Sequence, residues 1–181
     1  MKHLSITLSI LFYSLLTFGQ VDTIESVNLE LILKDNNWEN ARMFVKGDSL
    51  PYSGVMVDYY YGTQQIETAI KYTNGQNSNG WVRSYYKSGQ KKEEYWYGDQ
   101  SGTEHGDYTA WFESGKIKMT GHHDNGANDD KWTTYFENGQ KQYDREYDKG
   151  KKTGTWITWD KDDNILSIEV YKENKLIEKK K

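Results

Sequence analysis

Three histidines (His105, His122 and His123) and a scatter of carboxylates are the residues best suited to chemistry in this chain. Imidazoles hold zinc when three or four ligands converge, but His122 and His123 are adjacent. Adjacent side chains on a strand point to opposite faces, so this pair does not share a metal. Asp160, Asp162 and Asn164 open like a calcium loop, with oxygens at the first, third and fifth places. Ile165 then stands where the turn glycine belongs and Tyr171 where the bidentate glutamate belongs, so a polar β-turn is expected there. Glu93, Glu94, Asp107, Glu113 and Glu137 are carboxylates of the kind that pair for glycoside cleavage. The sequence gives them no shared pocket, and they read as solvated strand faces. A Gly-x-Ser-x-Gly elbow, a phosphate-cradling glycine loop and a cysteine nucleophile are all missing. The expectation is a non-enzymatic chain with no catalytic residue, no metal and no cofactor.

The elements that would position these residues come from a repeat of roughly 24–26 residues. With Gly54, Gly80, Gly106, Asp130 and Gly154 as unit starts, an aromatic stands five places on each time: Tyr59, Tyr85, Trp111, Tyr135 and Trp159. Tyr97, His123, Tyr147 and Tyr171 follow seventeen places after the last four starts, and Tyr72 eighteen after the first. Places two, five and six are mostly bulky, as in Tyr108/Trp111/Phe112, Trp132/Tyr135/Phe136 and Trp156/Trp159. Short aromatic runs bounded by turn residues are strand signatures. Turns are expected at Ser88-Gly89, Ser114-Gly115, Asn138-Gly139 and Asp163-Asn164. A second set closes the units at Asn74-Gly75, Asn125-Gly126, Lys149-Gly150 and Glu173-Asn174. The fold class expected is all-β: an elongated, single-layer antiparallel β-hairpin repeat array of about ten strands. Places two and six would share one face and place five the other. Residues 20–50 fit the unit poorly and read as an N-terminal cap. Within it Val27 to Leu33 suits strand or helix, and Met43-Phe44-Val45 a strand leading through a turn at Lys46-Gly47-Asp48.

Composition bounds the class. Aromatics make up 15% of the chain against 35% for all hydrophobic residues, which favours thin, aromatic-rich β structure over a thick aliphatic core. Residues 1–19 read as a secretory signal: Lys2 and His3, an apolar run from Leu4 to Phe18, then Thr17-Phe18-Gly19 before Gln20. A run of roughly 15 residues is short for a bilayer span, which needs ~20. No cysteine follows it, which rules out a lipoprotein anchor. The chain is therefore expected in the periplasm or outside the cell, without stable membrane insertion. Taking Lys2 from the 23 basic residues, against 27 acidic ones, moves the net charge from −4 to −5. That balance argues against nucleic acid as partner. Residues 179–181 read as a basic tail, part of a Lys-rich end that blunts a sheet edge.

Two stretches, Gly80-Trp-Val-Arg-Ser-Tyr-Tyr-Lys-Ser-Gly-Gln-Lys91 and Asp130-Lys-Trp-Thr-Thr-Tyr-Phe-Glu-Asn-Gly-Gln-Lys141 with Tyr147-Asp-Lys-Gly150, carry a likeness to a known family. The pattern resembles the variant MORN repeat, and Pro51-Tyr52-Ser53-Gly54 resembles the short element that often opens such arrays. Five units cover residues 51–178. The resemblance implies a hairpin array with an interaction role, through protein or phospholipid contacts, and one similar bacterial group carries an antitoxin label. This chain departs from the pattern at His123, Asp130 and Asp163. Function is then expected to be binding of a protein partner by an aromatic sheet face, with a glycan or cell-wall module as the alternative. The candidate binding residues are Tyr59, Tyr85, Tyr108, Trp111, Trp132, Tyr135, Trp156 and Trp159.

Overall fold

The computed structural model describes residues 23–25, 29–34, 37–45, 50–76, 80–98 and 103–180. Residues 1–19, which the sequence reads as a secretory signal, the turn at Lys46-Gly47-Asp48 and the last tail residue, Lys181, lie outside the described residues. Every regular element among them is a strand. Twelve of the fourteen strands form one open sheet in which neighbours follow chain order. The opening strands are β1 (Thr23–Glu25), β2 (Leu29–Lys34) and β3 (Asn37–Val45). Among the described residues β2 and β3 pair only with each other, as a two-stranded sheet. The segment open to either strand or helix is thus strand from Leu29 onward.

Five hairpins follow in phase with the repeat. They are β4 (Gly54–Tyr59) with β5 (Ile66–Tyr72), β6 (Trp81–Tyr85) with β7 (Lys91–Trp96), and β8 (Gly106–Trp111) with β9 (Ile117–Asp124). β10 (Ala127–Tyr135) with β11 (Lys141–Asp148) and β12 (Lys151–Trp159) with β13 (Ile165–Lys172) complete the set. The aromatic at place five is the last residue of the first strand in all five hairpins. A register shift falls immediately before it each time, at Asp58/Tyr59, Ser84/Tyr85, Ala110/Trp111, Thr134/Tyr135 and Thr158/Trp159. The repeat is therefore a repeat of register as well as of residue type, because a one-residue slip would turn each aromatic to the wrong face. At about 4.8 Å per strand the sheet extends on the order of 50 Å before twist.

Turn chemistry explains the connections. Asn74-Gly75, Asn125-Gly126, Lys149-Gly150 and Glu173-Asn174 all have positive φ at both residues, the two-residue hairpin geometry that matches strand twist. Both margins of the sheet are then tied from unit to unit. On the margin of the turns within hairpins, the Tyr60 hydroxyl donates to the Tyr85 carbonyl (2.6 Å) and the Tyr86 hydroxyl to the Trp111 carbonyl (2.9 Å). Lys116 Nζ donates to the Glu137 carbonyl (2.9 Å) farther along. On the opposite margin the backbone N–H groups of Gly75, Gly126, Gly150 and Asn174 donate to the carbonyls of Tyr52, Glu104, Asn128 and Lys152 at 2.6–2.9 Å.

Two sets of side chains stand on the sheet. The face of place two is called A and the face of place five B. Burial is concentrated at the N-terminal end. On face B, Val55, Val57, Ala69, Trp81 and Tyr85 form a buried cluster. On face A, Tyr52 and Met56 are buried against Ile24, Val45, Ile70 and Tyr72. The first hairpin is aliphatic where later ones are aromatic or charged, so it closes tightly. β1 pairs parallel to β4 at this end. At the other end β14 (Lys175–Lys180) pairs with β13 and is exposed throughout. Lys179 and Lys180, assigned to a tail by the sequence, are thus the outer residues of an edge strand. The hairpin turn at Glu173-Asn174 returns the chain along β13.

Candidate functional site

Face B carries a charged ladder. In the second unit Glu94 accepts from Arg83, its cross-strand partner, and from Lys91 Nζ at 3.3 Å. The same places in the fourth unit hold Thr133, Lys141 and Asp144. The buried Asp144 carboxylate accepts from Lys131 Nζ (2.8 Å), Lys141 Nζ (2.9 Å) and Thr133 Oγ1 (2.7 Å). Burial on its own would raise the Asp144 pKa. Hydrogen bonds from Lys131, Lys141 and Thr133 outweigh that and hold the carboxyl below the ordinary Asp range. Lys91 and Lys141 each also cap the place-five indole of the next unit, Trp111 at 4.8 Å and Trp159 at 5.9 Å. The cations of this ladder thus have carboxylate partners.

Face A carries a row of rings. Tyr95 stacks on Tyr108 (6.4 Å), and Tyr108 and His123 both contact Trp132, at 5.4 and 4.8 Å. The Trp132 indole covers Gly121, where an added Cβ would lie 2.2 Å from the ring, and its Nε1 donates to the His122 carbonyl (3.1 Å). Trp156 repeats this bond with the Glu146 carbonyl (3.0 Å). In the last two units Trp156 sits between Tyr147 (5.2 Å) and Tyr171 (5.0 Å). Burial, joined by the Glu93 carboxylate that accepts from its hydroxyl at 3.1 Å, pushes the Tyr108 pKa up.

The eight candidate residues divide between the faces. Tyr59, Tyr85, Trp111, Tyr135 and Trp159 stand on B, and Tyr108, Trp132 and Trp156 on A. Tyr85 and Trp132 are only 4% and 8% exposed, so they hold the sheet together and offer little surface. Tyr59 packs against the face B cluster. Trp111 and Trp159 lie half-buried beneath lysines, and Tyr108 and Trp156 are half-buried within the ring row. Tyr135 is half-buried. The eight therefore do not form one patch.

The histidines are each drawn to a carboxylate. His122 Nδ1 lies 3.1 Å from Asp107 Oδ1, and His105 Nδ1 3.4 Å from Asp124 Oδ1. His123 Nε2 lies 3.1 Å from Glu104 Oε2, while its buried Nδ1 has no hydrogen-bond partner. Among the described residues no group of three or more potential ligands is arranged to hold a metal. Asp160 Oδ1 accepts from the backbone N–H groups of Asp162 and Asn164 at 2.9 Å, so that segment closes as a side-chain-capped turn.

Two residues passed over by the aromatic count, Arg145 and Lys152, stand among the rings of face A. Arg145 lies over Tyr143 (4.3 Å) and Trp156 (5.2 Å), and Lys152 over Trp156 (4.5 Å) and Tyr171 (5.0 Å). Period-two alternation was a usable signal, because Arg145 shares a face with Tyr143 and Tyr147. The chain matches no protein-family model, no curated protein and no solved structure.

Proposed function

We propose that this chain is an exported, non-enzymatic repeat scaffold that binds a protein through face A, the role that its likeness to variant MORN repeats implies. One observation supports this above the rest: the half-exposed rings of face A, Tyr108, Tyr147, Trp156 and Tyr171, stand on a backbone tied at both margins. Rings held in place this way lose little conformational freedom on binding, and aromatic and Arg side chains dominate the energetics of protein interfaces. Its export is proposed from the N-terminal sequence alone. The test is crosslinking and capture from the native envelope with wild type and Trp156→Ala. A stoichiometric protein recovered by wild type and lost with the folded variant is the expected result; repeated recovery of none sinks the reading.

A second reading, a glycan or cell-wall module, is favoured by a different part of the same face. Tyr95 and Tyr108 stack beside Glu93, a ring-and-carboxylate arrangement suited to sugars. Titrating tryptophan fluorescence with cell-wall fragments tests it, and an unchanged spectrum at saturating ligand would dispose of it.

A further inference from the structure

Face A is electrically polarised along the array. Toward the second and third units its charges are carboxylates, Glu93 bound by the Tyr108 hydroxyl and Glu104 paired with His123. Toward the fourth and fifth, beside a paired Glu169 and Lys179, stand Arg145 and Lys152, both over Trp156. Among the described residues neither cation is in an ion pair with a carboxylate. The nearby Glu169 is engaged by Lys179 Nζ (2.6 Å) and the Tyr171 hydroxyl (2.8 Å). Those hydrogen bonds, Lys179's first, hold its pKa below the usual carboxylate range, and the Lys152 charge adds a smaller pull without forming an ion pair. Face B offers the internal comparison: there Glu94 and Asp144 each neutralise two cations. The ladder on face B thus pairs its cations with carboxylates, whereas on face A Arg145 and Lys152 stand on rings.

Two like charges over one indole repel, and both gain when an anion approaches between them. Arg145 adds a planar fork of donors matched to a carboxylate, and stacking leaves guanidinium N–H groups free to donate. Because these ring faces are capped by cations, they offer a charge rather than an open plane to a ligand. The patch is also local: the whole chain carries a net −4, so bulk charge does not attract anions. We propose that this patch docks an acidic peptide segment of the protein partner, with Asp or Glu carboxylates bridging Arg145 and Lys152. This rests on the protein-binding function proposed above and names the chemistry of its partner.

The test titrates short poly-L-glutamate into the full chain at low ionic strength, read by tryptophan fluorescence and calorimetry. Arg145→Gln/Lys152→Gln is compared with Lys92→Gln/Lys161→Gln, exposed lysines outside the patch. Saturable binding is expected for wild type, about tenfold weaker for the patch variant and unchanged in the control. Wild-type affinity should fall as salt is raised, a readout that needs no variant to fold. No saturable binding, an equal loss in the control, or tighter binding of polygalacturonate or phosphatidylglycerol vesicles overturns the proposal. Capture separates the two levels. A partner retained by the patch variant overturns acidic docking alone, whereas no partner for wild type overturns the protein-binding function.

Discussion

Asp144 shows how a single side chain is fixed by its neighbours. Only 8% of its side chain is exposed, and three donors converge on it. Removing the charge while keeping the shape, as in Asp144→Asn, should cost about 1–2 kcal/mol at neutral pH, the half-exposed lysines tempering a loss that is larger for fully buried pairs. The sign with pH follows from its depressed folded pKa. Stability from this group is present above the unfolded value, ~3.9, and is lost as pH falls through the folded one. Denaturation of wild type and variant should therefore converge as acid protonates the folded carboxyl, and a gap that persists there would contradict the assignment. Gly121 makes a complementary case on face A. With an added Cβ placed 2.2–2.5 Å from Trp132 ring atoms, Gly121→Ala must displace the indole and strain its bond to His122. A loss of about 1–3 kcal/mol is expected, with a red-shifted tryptophan emission.

Each hairpin is specified twice, by its own turn and by its neighbour. Asn-Gly and its substitutes set the turn, and strand alternation then sends places two and five to opposite faces. The link to the next hairpin is less regular. Tyr60 and Tyr86 donate their hydroxyls to the next unit's carbonyl, but the phenylalanines at the same place, Phe112 and Phe136, have no hydroxyl to give. Lys116 and Asn138 make the links there, at 2.9 and 3.4 Å. Tyr86→Phe should consequently cost about 0.5–1.5 kcal/mol, the worth of one partly buried hydrogen bond. Hydrogen exchange should quicken at the second and third hairpins and stay unchanged at the fifth. Uniform quickening along the sheet would mean that units are not coupled mainly to their neighbours.

Over the whole molecule, burial runs down from the first hairpin to the last strand. Val55 and Ala69 are almost wholly buried, whereas Leu176 and Ile177 in β14 are 46% and 57% exposed. An open sheet has edges, and an exposed edge invites pairing with another chain. Here the C-terminal edge is a lysine-rich strand over β13, whose Ile165 and Leu166 are themselves exposed. Deleting residues 175–181 should bare β13 and cause self-association, visible by light scattering as species larger than wild type. A deletion variant with unchanged mass in solution would show that β14 does not guard this edge.

The sequence alone determined the hairpin phase, the all-β class and the division of rings between faces. Each follows from local chemistry: turn residues, period-two alternation and a fixed distance between aromatics. It left two structural features unspecified that depend on contacts between units. One was that Tyr85 and Trp132 are covered while Trp156 stays half-open, because burial depends on what the neighbouring hairpin supplies, such as Gly121 beneath Trp132 and Arg145 at the matching place beside Trp156. The other was which cations meet carboxylates. Lys141 and Arg145 lie four residues apart on one strand, yet β11 turns them to opposite faces, one to Asp144 and one to indole. The register shift at Thr134/Tyr135, which pairs Tyr143 with Thr134 but Lys141 with Tyr135, produces that outcome. Only the folded sheet, which sets register and neighbours together, decides where a cation meets a carboxylate and where it rests on a ring.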